Sequence, residues 1–491
     1  MAIKNTQSKA FYSRANMNLN FVMVLISIIL SACSSQSSAQ NNWYIDQNSG
    51  NNSNTGSSLS NALKSLDYAL ESQLIKAGDT VYIVGMYQNK NYNNGDIWKT
   101  ENTIKINNLH GSKENYITIK AFDDNTILKG DAESIIRIIN SSYIKIEDFE
   151  IYGEVENIPL QTAKKYQFIY KDESGKINYR VPPNASNEEI ANLKLPVLKN
   201  ISRPSYTNTK GIYISKSEHI VISNNHIHHM PGTGLRAAKS DYIDIVANEI
   251  NDCSRKSYSG THALVIHSSK SIDNNYGYKI KILRNNIHHN YNEIFSWSPK
   301  KTFITPHIDE GKGISLQKNS LENGWKHGRI LVANNLSYWN GFSGLHNNQG
   351  VRIDFINNTV YFNSYTNSIS SNGEGGGKNI GISSSGGDDI KIINNIVVSD
   401  TKLKGFAISI AKTTNLLILN NLVTGKQNPD IEKIQKDTIV ADPLFVDALE
   451  FNFQLRKTSL AIDKANKNYS PEIDYYNKTR DLQPDIGAIE F

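Results

Sequence analysis

An apolar strand that ends in asparagine, followed by a second short apolar step, recurs along this chain. It is found as VISNNHIHH (221–229), IVANEIND (245–252), ILRNNIHH (282–289), LVANNLSYWN (331–340), FINNTVYFN (355–363), IINNIVVS (392–399) and LILNNLVTG (418–425). The aligned asparagines are Asn225, Asn248, Asn286, Asn335, Asn358, Asn395 and Asn421, and the tightest spacings between them are about two dozen residues, one turn of a solenoid. Asparagine suits a repeated bend because it tolerates tight-turn geometry and its amide both donates and accepts along a stack. The runs between the bends are β-branched and of strand length, without the 3.6-residue period of helices. Regularly spaced leucines with a helical half-repeat are absent, so the pattern predicts a right-handed parallel β-helix.

With 491 residues the chain is too long for one ordinary compact core, which an elongated solenoid accommodates. Residues 42–85 read as a strand, an Asn/Ser/Gly loop, an amphipathic helix that closes the open apolar end, and a second strand. ADPLFVD (441–447), SLAID (459–463) and PDIGAIEF (484–491) read as a C-terminal closing segment. A mixed charged and aromatic insertion at about 153–210 interrupts the coils as a flap or subdomain.

Upstream, FVMVLISIILSAC (21–33) is an apolar stretch ending in Cys33, with Lys4, Lys9 and Arg14 before it. This resembles a bacterial lipoprotein signal (1–33) in which Cys33 is acylated; an ordinary secretory signal is the alternative. The run is short for a membrane-spanning helix. Residues 34–42 then form a tether, and 43–491 the β-helix. The expected location is the bacterial cell envelope, lipid-anchored or secreted. Once Cys33 is acylated, Cys253 has no disulfide partner and reads as a buried free thiol. A net charge of +5 gives no case for nucleic acid and mildly favours an anionic substrate for a monomeric protein.

Four stretches share a frame that starts with a small residue and then an apolar one: TGLRAAKS (233–240), HALVIHSS (262–269), KGISLQKN (312–319) and FSGLHNNQG (342–350). Strand alternation turns Leu235, Leu264, Ile314 and Leu345 inward and Tyr213, Arg236, His267, Ser315, Gln317, His346 and Asn348 outward. A slip of one residue would bury His346. Lys216, Lys239 and Lys312 are expected on the next diagonal. Trp297 and Trp325 lie in the insertions around Ser315 and, with Tyr338 and Trp339 nearby, are candidates to stack on sugar rings. The histidine runs at 226–229 and 287–289 fall after the bend, with adjacent imidazoles expected on opposite sides.

From Asn42 onward the chain resembles the pectate-lyase-like β-helix proteins, closest in motif style to polysaccharide lyase family 9. The resemblance rests on KAGDTVYIVG, the NN coils, GKGISLQ…GRILVANNLSYWNGFSGLHNNQGVRIDFINNTVYFN (311–363) and the DPLFVD/AID/DIGAIEF ending. Family 9 implies a calcium-holding aspartate cluster and a lysine base. Here MPGTGLRAA (230–238) carries Arg236 where one ligand would sit, and Ser315 takes the lysine position.

The outward stripe is cationic, imidazole-bearing and amide-rich. A lyase acting on a uronic-acid polymer removes the C5 proton, alpha to a carboxylate, which is easier when that carboxylate is neutralised. Arg236 is expected to bind the carboxylate with Lys239 in support. His267 or His346 is the base, and the other protonates the leaving oxygen. Lys312 is an alternative base. Tyr213, Ser315, Gln317, Asn348, Trp297 and Trp325 are expected to bind substrate. No cofactor is required, or calcium is used, with Asp309 and Glu310 the candidate ligands. Two other classes stay open: a glycoside hydrolase, for which Asp388 and Asp389 are the one adjacent carboxylate pair in a late coil, and a non-catalytic glycan-binding surface lipoprotein.

Overall fold

The computed structural model describes residues 40–89, 101–166, 168–179, 203–294, 310–364, 380–400 and 406–491, with isolated positions between them. Cys33 and the whole N-terminal signal, Trp297 and Asp309 lie outside the described residues.

One coil shows how the sequence is spent. Strand Leu235–Ala238 turns into Asp241–Val246, then Glu249–Asn251, and a loop leads to Leu264–His267, one rung along. Each strand pairs in parallel with its counterpart in the next coil: Leu235 with Leu264, Ile243 with Ile280, Ile250 with Ile287. Repetition of this unit gives a right-handed parallel β-helix whose described residues form three parallel sheets of eleven, nine and eleven strands. We call the nine-stranded one the groove sheet; the others are the long-strand sheet (as Asp241–Val246) and the short-strand sheet (as Glu249–Asn251).

Isoleucine is the natural filler of such an interior, being β-branched, stiff at χ1 and shaped to the pleat. Ile220, Ile243, Ile280, Ile330, Ile353 and Ile390 occupy one register column of the long-strand sheet, each 0% exposed. At the start of each groove strand the inner space is already filled by the short-strand sheet. A Cβ on Gly234 would lie 2.5 Å from Ile250 Cγ2, and one on Gly344 2.5 Å from Val360 Cγ1. This close approach explains the small-then-apolar frame in the sequence.

The asparagine bend divides its work between two residues. Asn224, Ala247, Arg284, Asn334, Asn357, Asn394 and Asn420 take the left-handed conformation, and the following residue is the stacked asparagine. Asn335 is typical: its Nδ2 donates to Asn358 Oδ1 (2.9 Å), Ile282 O (2.9 Å) and Ala333 O (3.0 Å). The ladder runs through Asn225, Asn248, Asn285, Asn335, Asn358, Asn395 and Asn421. Asn285, not the expected Asn286, is therefore the stacked residue in the third repeat; Asn286 opens the next strand opposite Glu249. A second ladder joins Asn290, Asn340 and Asn363 and receives the backbone N–H of Cys253. Cys253 is a free thiol with 0% exposure, and burial raises its pKa far above the ordinary range.

Helix Leu66–Glu71 begins at Ser65, whose hydroxyl accepts from Tyr68 N, and it sends Leu66 and Ala69 into the main core. Asn42, assigned to the tether, already opens the first strand. The C-terminal segment does not close the far end. Phe445, Phe453, Ile486 and Ala488 pack instead on Tyr338, Tyr361 and Ile396 of the short-strand sheet's outer side. Ile431, from the short helix Pro429–Glu432, joins the main core near the end. In the 153–210 insertion, helix Leu160–Tyr166 and residues Ile158 and Tyr206 pack against Tyr258 and Ile294, in loops that feed groove strands.

Trp325 is corrected by the structure. It is 0% exposed and belongs to the main core, so it does not stack on a ligand. The histidines of 226–229 are also corrected. His229 takes the left-handed conformation at the corner, which brings its Nδ1 to 2.8 Å from His228 Nδ1 rather than to the opposite side. His288 and His289 repeat this contact at 2.8 Å. No group of three or more His, Cys, Asp or Glu side chains is placed to hold a metal ion among the described residues.

Candidate active site

Two outward columns run along the groove sheet. One is Tyr213–Arg236–Val265–Ser315–His346–Ser383, the other Ser215–Ala238–His267–Gln317–Asn348–Ser385. His346 does point out: its neighbours Leu345 and Asn347 are each 0% exposed inside the coil, while the imidazole is half-buried in the groove.

Arg236 is half-buried, and its guanidinium makes no hydrogen bond or ion pair among the described residues. Burial pushes its pKa down, and only the nearby Tyr213 hydroxyl opposes this. A desolvated, unpaired guanidinium beside a tyrosine is suited to a planar anion that accepts two hydrogen bonds. One rung on, His267 has its pKa lowered to about 4, first by burial and then by Arg236, Lys318 and Lys239. It is therefore neutral at ordinary pH and able to accept a proton.

His346 sits two rungs beyond His267, roughly 10 Å along the stack at ordinary strand spacing. Its Nδ1 lies 2.7 Å from Ser383 Oγ, and that hydroxyl donates to Ser343 Oγ (3.2 Å). The serine proton is thus committed, Nδ1 must carry the imidazole hydrogen, and Nε2 keeps its lone pair. Burial, then Lys312 and His262, hold the His346 pKa well below the ordinary histidine value.

Beside it lies a residue the sequence reading missed. His262 is 1% exposed, and its Nδ1 accepts from the backbone N–H of Lys312 (3.3 Å). Its Nε2 lies 3.3 Å from Glu310 Oε2 and 2.9 Å from Gln317 Nε2. Lys312 Nζ lies 3.3 Å from the same Glu310 oxygen and 4.8 Å above the Phe342 ring. The available signal was positional: counted back two residues from the first inward residue, Lys210, Thr233, His262, Lys312 and Ser343 form one column.

That count also corrects the expected diagonal. Lys216 and Lys239 follow the groove strands at left-handed corner positions, whereas Lys312 precedes its strand, at the opposite edge. Ser315 is corrected as a ligand contact, being 0% exposed and accepting from Gln317 Nε2 at 3.2 Å. Tyr213, Gln317 and Asn348 are half-buried along the groove. Glu310, weighed for calcium, is occupied by Lys312 and His262.

No family model and no curated protein matches the chain. Among solved structures it is similar to the A-module of the Azotobacter vinelandii mannuronan C-5 epimerase AlgE4, at 12% identity over 74% of this chain and 82% of that one, TM-score 0.40. It is also similar to a rhamnogalacturonan lyase, at 14% over 87% and 97%, TM-score 0.36. A third is the GH136 lacto-N-biosidase from Eubacterium ramulus, at 12% over 82% and 58%, TM-score 0.34.

Proposed function

We propose that the protein is a polysaccharide lyase that cleaves a uronic-acid-containing chain by β-elimination. The observation that carries this is the half-buried Arg236, without a hydrogen-bond or ion-pair partner among the described residues, near an imidazole kept neutral on the same face. In the proposed reaction Arg236 holds the C6 carboxylate and stabilises the charge that develops when C5 loses its proton. His267 takes that proton. The electron pair forms the C4–C5 double bond, the C4–O4 bond breaks, and water supplies the proton to the leaving oxygen. Carboxylate binding also neutralises one of the cations that depress His267, so the base strengthens when substrate arrives. His346 is the alternative base, favoured by an Nε2 that makes no hydrogen bond among the described residues and by the Ser383–Ser343 chain behind it. The two imidazoles, two rungs apart, do not share one bond, and His346, three rungs or about 14 Å from Arg236, would act as base on a sugar other than the one Arg236 holds.

The hydrolase alternative is weakened by where its carboxylates lie. Asp389 is bound by Arg329 (2.6 Å) and Asp388 accepts from Thr414 and Asn415, all on the long-strand sheet and its edge. Lipid anchoring through Cys33 and an envelope location remain part of the proposal; external protease acting on intact cells tests them, and a fully protected protein would count against surface display.

The test is to incubate the purified protein with pectate, alginate, glucuronan and glycosaminoglycans, with calcium or chelator, following ultraviolet absorbance and reducing ends. Rising absorbance is expected, from the new double bond. Reducing ends without absorbance would replace the lyase by a hydrolase, and silence on all polymers would favour a binding protein. The pH profile follows from the same site. A neutral base is required, so kcat/KM is expected to hold as pH falls past 6 and to drop tenfold per unit only below about 4, where His267 protonates. An acid limb near 6.5 would remove His267 from the role.

A further inference from the structure

Where the groove sheet turns into the long-strand sheet, a cleft of ≈ 580 Å³ lies beside the Arg236 rung. Lys216, Lys239 and Lys270 line it, together with Ser142, Ser271 and His110. Lys216 and Lys239 occupy left-handed positions (φ 51° and 54°) on neighbouring rungs, which sets their ammonium stems side by side at about 5 Å backbone spacing. All three lysines are exposed, and none makes a side-chain hydrogen bond or ion pair among the described residues. Like charges on adjacent rungs repel, so the arrangement is costly unless an anion joins them.

The acids nearby do not fill that role. Asp241, at the floor, is 0% exposed and already bound by Lys279 Nζ (2.5 Å) and by the backbone N–H groups of Ile272 and Tyr242. Glu218, half-buried in the lining, leaves the three lysines with an excess of two positive charges. His110 is turned to Ser142 Oγ at 2.9 Å. The cleft adjoins the groove sheet at Lys239, which directly follows the Arg236 strand and whose backbone N–H donates to His267 O at 3.0 Å.

We infer that this corner is a second acidic-sugar subsite, taking the carboxylate of a uronate in the same chain whose reacting residue lies on Arg236. It rests on the polyuronate reading above and shares Lys239 with it, whereas Lys216 and Lys270 have no part in the proposed elimination. The experiment compares wild type with Lys216→Gln/Lys270→Gln by calorimetric titration with polygalacturonate, alginate and dextran sulfate, and by turnover of a uronate trisaccharide. For a polyuronate that wild type binds, the double variant is expected to bind about tenfold more weakly, the gap closing as salt is raised, with trisaccharide turnover unchanged. Unchanged polyuronate affinity would overturn the subsite, as would no polyuronate binding by wild type. An equal loss toward dextran sulfate would reduce it to an unselective cationic patch and overturn the uronate assignment. If no polymer is eliminated yet the double variant still loses polyuronate affinity selectively, the lyase reading falls and the corner subsite stands.

Discussion

Arg236→Ala is expected to lower kcat/KM for elimination by about 10²–10³-fold, the usual effect of removing one preorganised donor to a developing oxyanion. The same substitution is expected to leave the melting temperature unchanged or slightly higher. Arg236 has no partner to orphan among the described residues, and its removal relieves a desolvated charge. This opposition between activity and stability separates a ligand-binding arginine from a structural one, for which both would fall together. Arg236→Lys, which keeps the charge but loses the planar fork, is expected to recover only part of the activity. Parallel assays of absorbance at the double bond and thermal unfolding decide the point; full activity in Arg236→Ala would remove the proposed carboxylate clamp.

The second large effect concerns the ladder. Asn335→Ala is expected to destabilise the fold by about 3–5 kcal/mol in urea unfolding, because it orphans several buried groups at once. The Asn285 backbone N–H loses its acceptor, its side-chain amide loses one of three, and Asn358 Oδ1, Ile282 O and Ala333 O each lose a donor. Asn286→Ala, one residue past the ladder, is the internal control and is expected to cost about 1 kcal/mol or less, since its amide donates to the partly exposed Glu249 at 3.3 Å and takes no part in the stack. Equal costs at the two positions would contradict the assignment of Asn285 to the stack.

The solenoid itself was legible because stacking makes each coil repeat the same demand: an inward isoleucine, a bend, a stacked amide. The register was legible wherever the bend residue was also asparagine, since the pair NN then carries left-handed residue and ladder residue in order. It failed at ILRNN because Arg284 takes the bend, which shifts the ladder to the first asparagine. Trp325 was misjudged because an aromatic in an insertion looks the same in sequence whether the loop opens outward or folds back; here it folds back beside the buried Lys279, 5.8 Å from the ring. His262 was missed because alternation was followed only from the first apolar residue, and His262 lies before it. Lys239 and Lys312 were placed on one diagonal, although one follows its strand and the other precedes it. Side-chain direction within a strand follows from period two; what covers an outward side chain, as Gln317 covers Ser315, does not.

The coil from Asn335 to Asn358 is 23 residues long and bonds mainly to the turns above and below, with Tyr338 and Asn357 also meeting the C-terminal segment. It is therefore a unit of length. Copying such a segment would move the two ends of the molecule apart by one strand spacing, about 4.8 Å, without altering any existing turn. The reach of the outer face along a polymer is thus a variable that duplication or loss of a single segment can adjust, independently of the side chains that act on the polymer at any one point.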